Sequence, residues 1–121
     1  AFAQTPDTVF LEELTWTEVR DALKADKTTL IIPTGGTEQN GPHMVLGKHN
    51  FRIHHTSDRI ARRLGNALVA PVMAYVPEGA IDPPEGHMRY PGTLTIPDSV
   101  SARSSNPPPA APNCMASKTS S

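Results

Sequence analysis

Between Thr34 and His49 the chain reads TGGTEQNGPHMVLGKH, and this stretch concentrates the residues able to do chemistry. It holds one carboxylate, Glu38, two imidazoles, His43 and His49, and the amide of Asn40, set among four glycines. A connection this long and this rich in polar groups is usually functional. Gly36 and Gly41 have the spacing of a phosphate-binding loop, but Pro42-His43 stands where that loop needs Lys and Ser or Thr. Glu38 would also repel a phosphate, so nucleotide binding is excluded on chemistry. A carboxylate oxygen with imidazole nitrogens is instead the donor mixture that holds zinc, manganese or iron. Each histidine taken singly fits a hydrogen-bonded structural role, and it is their clustering that brings ligation level with it. Glu38 is the strongest candidate, because a carboxylate beside two glycines has no evident structural duty.

The elements around this loop can be read from local signals. Thr15-Trp16-Thr17-Glu18 is a capping box, so a helix starts at Thr15, with Leu14 and Val19 as a hydrophobic staple. Trp16, Val19, Ala22 and Leu23 share its inner face, and the helix should end near Asp26. Thr28 to Ile32 is a β-branched run closed by Pro33 and two glycines, a buried strand. A second helix should open at Asn50 as N-cap, carry Ile53, Ser57, Ile60, Ala61 and Leu64 inward, and stop at Gly65. Arg59, Arg62 and Arg63 in its last turns suit the helix dipole as a solvated face. Leu68 to Val76 is a second strand that Pro71 must interrupt, bulge or confine to an edge, and Thr93 to Ile96 is a candidate third. Strand, helix, strand at these spacings is a βαβ unit on a parallel sheet. The loop after Pro33 then leaves the carboxyl end of a strand, where open α/β sheets gather their ligands.

With 121 residues, 37% hydrophobic, the chain has room for one small domain. A formal net charge of −1 gives no footprint for nucleic acid or an anionic membrane, and no apolar run reaches the roughly 20 residues of a membrane span. The one cysteine, Cys114, says little about compartment. Ala1-Phe2-Ala3 has the small-x-small form of a signal-peptidase site, so residues 1–9 read as a post-signal leader and the protein as periplasmic or secreted; a chance match and a cytoplasmic protein is the alternative. Residues 101–121 hold six serines, Pro107-Pro108-Pro109 and no Leu, Ile, Val or aromatic residue. Such a segment cannot offset its ordering entropy and is expected to be disordered, whether a linker, a cloning scar or a shifted reading frame after Val100.

Three blocks carry a family resemblance. Thr37 to Gly47 resembles the creatininase-family signature T-E-Q-H-G-P-H-L-P-L-G, Ile60 to Pro71 its following helix and strand, and Gly86 to Leu94 its E-H-x-x-F-P-G-T-L segment. The resemblance implies that residues 10–100 are the amino-terminal half of a three-layer αβα domain with a mainly parallel sheet. It also implies a hydrolase of the creatinine amidohydrolase type, with metal-activated water attacking a cyclic amide or related carbonyl of a small molecule, in a protein that is often a homo-oligomer. The alternatives are a non-catalytic half domain and a small-molecule binding module without activity.

Carried over residue by residue, Glu38 matches the family's first metal-binding carboxylate, its usual His ligand falls on Asn40, and its usual bridging Asp falls on His49. A neutral amide is a weak ligand for zinc, and an imidazole cannot bridge two metals as a carboxylate can. The resemblance thus implies one metal, or two in a changed arrangement, with Glu38 and His49 as ligands. Asn40 then sits beside the ion rather than on it, and His43 supplies a supporting hydrogen bond. His87 either approaches this pocket or serves structurally beside Pro91-Gly92. A solvated or ion-paired face accounts for His54, His55 and Asp58. The family's remaining ligands lie on an N-G-H or H-G-G type motif, which this chain lacks, and no residue in it stands out as general acid or base.

Overall fold

The computed structural model describes residues 6–105, so Ala1-Phe2-Ala3, Cys114 and the tail beyond residue 105 lie outside the described residues. The element order is a short 3-10 turn (Leu11–Glu13), helix α1 (Trp16–Lys24), strand β1 (Thr29–Ile31), helix α2 (Lys48–Leu64), strand β2 (Ala67–Val69), a second 3-10 turn (Gly86–Arg89) and helix α3 (Asp98–Ser105).

β2 is the centre of the sheet. It pairs in parallel with β1, setting Thr29 opposite Ala67, Leu30 opposite Leu68 and Ile31 opposite Val69. On its other edge Val69 bridges in parallel to Phe10, with the Val69 N–H donating to the Val9 carbonyl at 2.8 Å. All three β2 residues are buried, as a strand covered on both faces requires. Ala67 and Val69 pack with Val9, Phe10, Ile31 and Ala61 of α2. Leu68, pointing the other way, lines a cleft with Leu14, Glu18, Ala22 and Ala25 from α1 and its flanks. Helices therefore lie on both sides of the sheet, the αβα layering expected. Residues 6–9 pack with this body: Val9 is in the core, and Asp7 is ion-paired with Arg62 of α2 at 2.9 Å.

The capping box forms, Thr15 Oγ1 accepting from the Glu18 N–H while the Thr15 N–H donates to Glu18 Oε2 at 2.7 Å. Only part of the face drawn for α1 is covered: Val19 and Ala22 are half-buried, but Trp16 is 75% exposed, with the Arg20 guanidinium 5.5 Å from its ring centre, and Leu23 is exposed too. α2 begins two residues before Asn50, after Gly47. It meets the sheet through two small residues, Ser57 and Ala61, leaving Ile60 and Leu64 exposed. The buried Ser57 hydroxyl is satisfied within the helix, donating to the Ile53 carbonyl at 2.7 Å. His54 stacks on Phe10 with ring centres 4.1 Å apart. Gly65 ends the helix in the left-handed conformation, φ 78°, its N–H on the Ala61 carbonyl.

Pro71 interrupts β2 as anticipated, and parallel pairing resumes only as a single bridge between Thr34 and Met73. Residues 93–96 form no regular strand, although the Leu94 N–H donates to the Thr37 carbonyl at 2.9 Å and Ile96 reaches Val76. α3 runs five residues past the boundary set at residue 100. No helix among the described residues is long and apolar enough to cross a membrane.

Candidate functional site

The loop between β1 and α2 is held by its own side chains. Asn50 does not cap α2; its side chain turns back, Oδ1 accepting from the Gly36 N–H at 2.9 Å and Nδ2 donating to Thr37 Oγ1 at 3.2 Å. Gly35 makes this possible, since a Cβ there would stand 2.0 Å from Asn50 Oδ1. A Cβ at Gly36 would stand 2.6 Å from Glu78 Oε1, so the glycine pair admits one side chain from α2 and one from the segment after β2. The next residue but one is Glu38, its backbone fixed by an N–H to Leu46 carbonyl bond.

Glu38 is the hub. Its side chain is only 12% exposed, and Oε1 lies 2.8 Å from His49 Nε2 while Oε2 lies 3.3 Å from His87 Nε2. Asn40 Nδ2 donates to the Glu38 carbonyl and, at 3.4 Å, to Oε1. The Asn40 carbonyl oxygen accepts from Lys48 Nζ at 2.6 Å. His87 is oriented by Gln39, its Nδ1 being 3.1 Å from the Gln39 carbonyl oxygen, and Gln39 N–H in turn donates to the buried hydroxyl of Thr93.

A fourth acid–base group meets this hub. Glu78 hydrogen-bonds to Glu38, and the two carboxyls titrate apart. Burial, then the bond to Glu38 and the nearby negative charge, push Glu78 up to about 7. Glu38 goes the other way: the hydrogen bond from Glu78 holds its carboxyl below the usual carboxylate range, against its own burial and with help from His87, Asn40 and His49. Near neutral pH the site therefore pairs an ionised carboxylate with a carboxyl close to the midpoint of its titration.

Of the residues singled out in the sequence, Glu38, Asn40, His49 and His87 converge here. His43 does not: it is exposed and lies over Gly41, with no contact to Glu38. Sequence reasoning missed Glu78 and Lys48. Pro77-Glu78-Gly79 repeats the signal by which Glu38 was found, a carboxylate beside glycine just past a strand, and could have been read the same way.

The creatinine amidohydrolase (creatininase) family model matches residues 12–103. The chain belongs to the creatininase family. The creatinine amidohydrolase of Pseudomonas putida is 33% identical over 88 residues, covering 73% of this chain and 33% of the relative. The 3-dehydro-scyllo-inosose hydrolase of Thermotoga maritima is 26% identical over 98 residues, covering 80% and 29%. A solved mutant creatininase of the Zn-Zn type superposes with a TM-score of 0.70 at 29% identity, covering 82% of this chain and 38% of that one. The chain thus spans about a third of the length of the relatives it matches.

Whether the residues present suit a metal can be judged from their donors. Glu38 and His49 offer an ionised oxygen and an imidazole Nε2 on one spot, the kinds of atom zinc and manganese take. No three His, Cys, Asp or Glu side chains among the described residues are arranged to hold an ion. The fit is that of two ligands, short of a closed site.

Proposed function

We propose that this chain supplies the amino-terminal part of a metal-dependent hydrolase of the creatinine amidohydrolase type, acting on a cyclic amide or related carbonyl of a small molecule. The observation that carries the reading is the contact of Glu38 Oε1 with His49 Nε2, 2.8 Å apart at the carboxyl end of β1, with Glu78, its carboxyl pushed up to about 7, bonded to the same Glu38. Glu38 and His49 would hold the ion, and further ligands would come from the part of the family's domain that the match does not cover. A divalent cation there supplies Lewis acidity to a carbonyl and makes a bound water more acidic.

The chain's own residues prepare that chemistry. Asn40 at Oε1 and His87 at Oε2 hold the two oxygens of the Glu38 carboxylate, so its orientation is set before an ion arrives. Glu78, near pH 7, can hold or release a proton under working conditions, which is what a general acid or base needs and what contributes about 10²–10⁴ in rate. The two named relatives act on different molecules, creatinine and 3-dehydro-scyllo-inosose, so family membership argues for hydrolysis and leaves the substrate to be found.

The test is hydrolysis of creatinine and of small cyclic amides and lactones by the protein expressed from its complete gene, before and after chelation and after return of zinc or manganese. Activity lost on chelation and restored by metal supports the reading. Activity indifferent to chelation overturns the metal, and metal uptake with no turnover of any of these compounds would make it a binding module.

A further inference from the structure

Asn40-Gly41 is the one Asn-Gly step in the chain. Such a step can react with itself, the backbone nitrogen of the glycine attacking the asparagine side-chain carbon Cγ, because no Cβ hinders the approach. Here it lies in the irregular, partly exposed stretch before α2, where no helix or strand ladder fixes the backbone and water has access. Gly41 holds φ 90°, a conformation that residues with a side chain seldom adopt.

The surroundings polarise both reacting groups. Lys48, the first residue of α2, sets Nζ 2.6 Å from Asn40 Oδ1. The ammonium draws electrons from Cγ and would stabilise the negative oxygen that forms when Cγ becomes tetrahedral. Gly41 N–H, on the attacking nitrogen, donates to Gln39 Oε1 at 3.0 Å, which leaves that nitrogen richer in electrons. The departing nitrogen, Asn40 Nδ2, faces the Glu38 carbonyl oxygen at 3.3 Å and Glu38 Oε1 at 3.4 Å.

We propose that Asn40 is a self-modification site, converted by its own backbone to an aspartate or isoaspartate. The bond from the Gly41 nitrogen to Asn40 Cγ forms and the Cγ–Nδ2 bond breaks; the Gly41 proton is lost and Nδ2 leaves as ammonia. Water then opens the ring at either carbonyl, so asparagine and water become an acid and ammonia with no other reactant. The product changes the site: the contact with Lys48 becomes an ion pair, while Glu38 loses the donor at Oε1 and meets a like charge.

The experiment incubates the protein expressed from its complete gene in mildly alkaline buffer at physiological temperature and maps its peptides by mass spectrometry with isoaspartate detection. Asn50 and Asn66 serve as references in the same chain. The expected result is conversion at Asn40 while Asn50 and Asn66 keep their amides. Conversion should slow by about tenfold or more in Lys48→Met and stay near the unaltered rate in Lys48→Arg, with circular dichroism confirming that the variants fold. Conversion at Asn40 no faster than at Asn66 overturns the proposal. A folded Lys48→Met that converts as fast as the unaltered protein, or faster, overturns the role given to Lys48, since its bond would then only anchor the amide. The ranking of the three asparagines decides the site even if a variant fails to fold.

Discussion

Glu78, forty residues later in the chain, meets Glu38 and gives it a hydrogen bond that splits the titration of the pair. One carboxyl becomes a better anion and the other keeps its proton to about pH 7. This division of labour comes from geometry: two carboxyls that share a partly buried place cannot both ionise at low cost.

The pair has a consequence for stability. In the metal-free protein Glu78 titrates near 7 when folded and near its ordinary 4.5 when unfolded. Between those values the folded state holds a proton that the unfolded state lacks, so stability falls as pH rises through that window and the penalty is complete above it. Glu38, lowered, acts in the opposite sense, its contribution being lost as pH falls below the usual carboxylate range. Glu78→Gln should therefore flatten the decline between pH 4.5 and 7 in thermal melts followed by circular dichroism. An unchanged decline would mean that Glu78 does not carry the proton.

The loop should depend on Asn50. Asn50→Ala removes the acceptor of the Gly36 N–H and the donor to Thr37, and should cost about 1–3 kcal/mol in denaturant titrations. Gly35→Ala should destabilise comparably, because its Cβ would displace the same amide. A neutral result for both would show that the loop is held by something else.

The core and the false core can be separated by two substitutions. Leu68→Ala, at a fully buried site, should cost about 2–5 kcal/mol. Trp16→Ala, at a site three-quarters exposed, should change stability by no more than about 0.5 kcal/mol. Equal and large effects would restore Trp16 to the core where its helical spacing first placed it.

What the sequence made legible is what short-range chemistry decides. The Thr15 capping box, the Gly65 stop and the break at Pro71 depend on neighbours a few residues away, and Glu38 and His49 stand close enough in the chain, at the loop and the first turn of α2, to be read together. What it concealed depends on partners brought from elsewhere. Asn50 reads as an N-cap until Gly35 and Gly36 offer it backbone groups to bind. Trp16 reads as core because its spacing is right, but helical period sets which residues share a face and not what covers that face. Nothing local marks Val9 as core; its burial comes from β2 lying alongside it. Lys48 joins the site through a contact that no local motif records, and Glu78, though its place beside Gly79 is a legible signal, gives no local sign that its partner is Glu38.

The central claim is that Glu38 anchors a divalent metal. Its most direct test is the metal content of Glu38→Ala against the unaltered protein, both expressed from the complete gene and dialysed against zinc or manganese. The account predicts loss of most of the bound metal in the variant, with the fold retained by circular dichroism. Unchanged metal stoichiometry in a folded Glu38→Ala protein would contradict it.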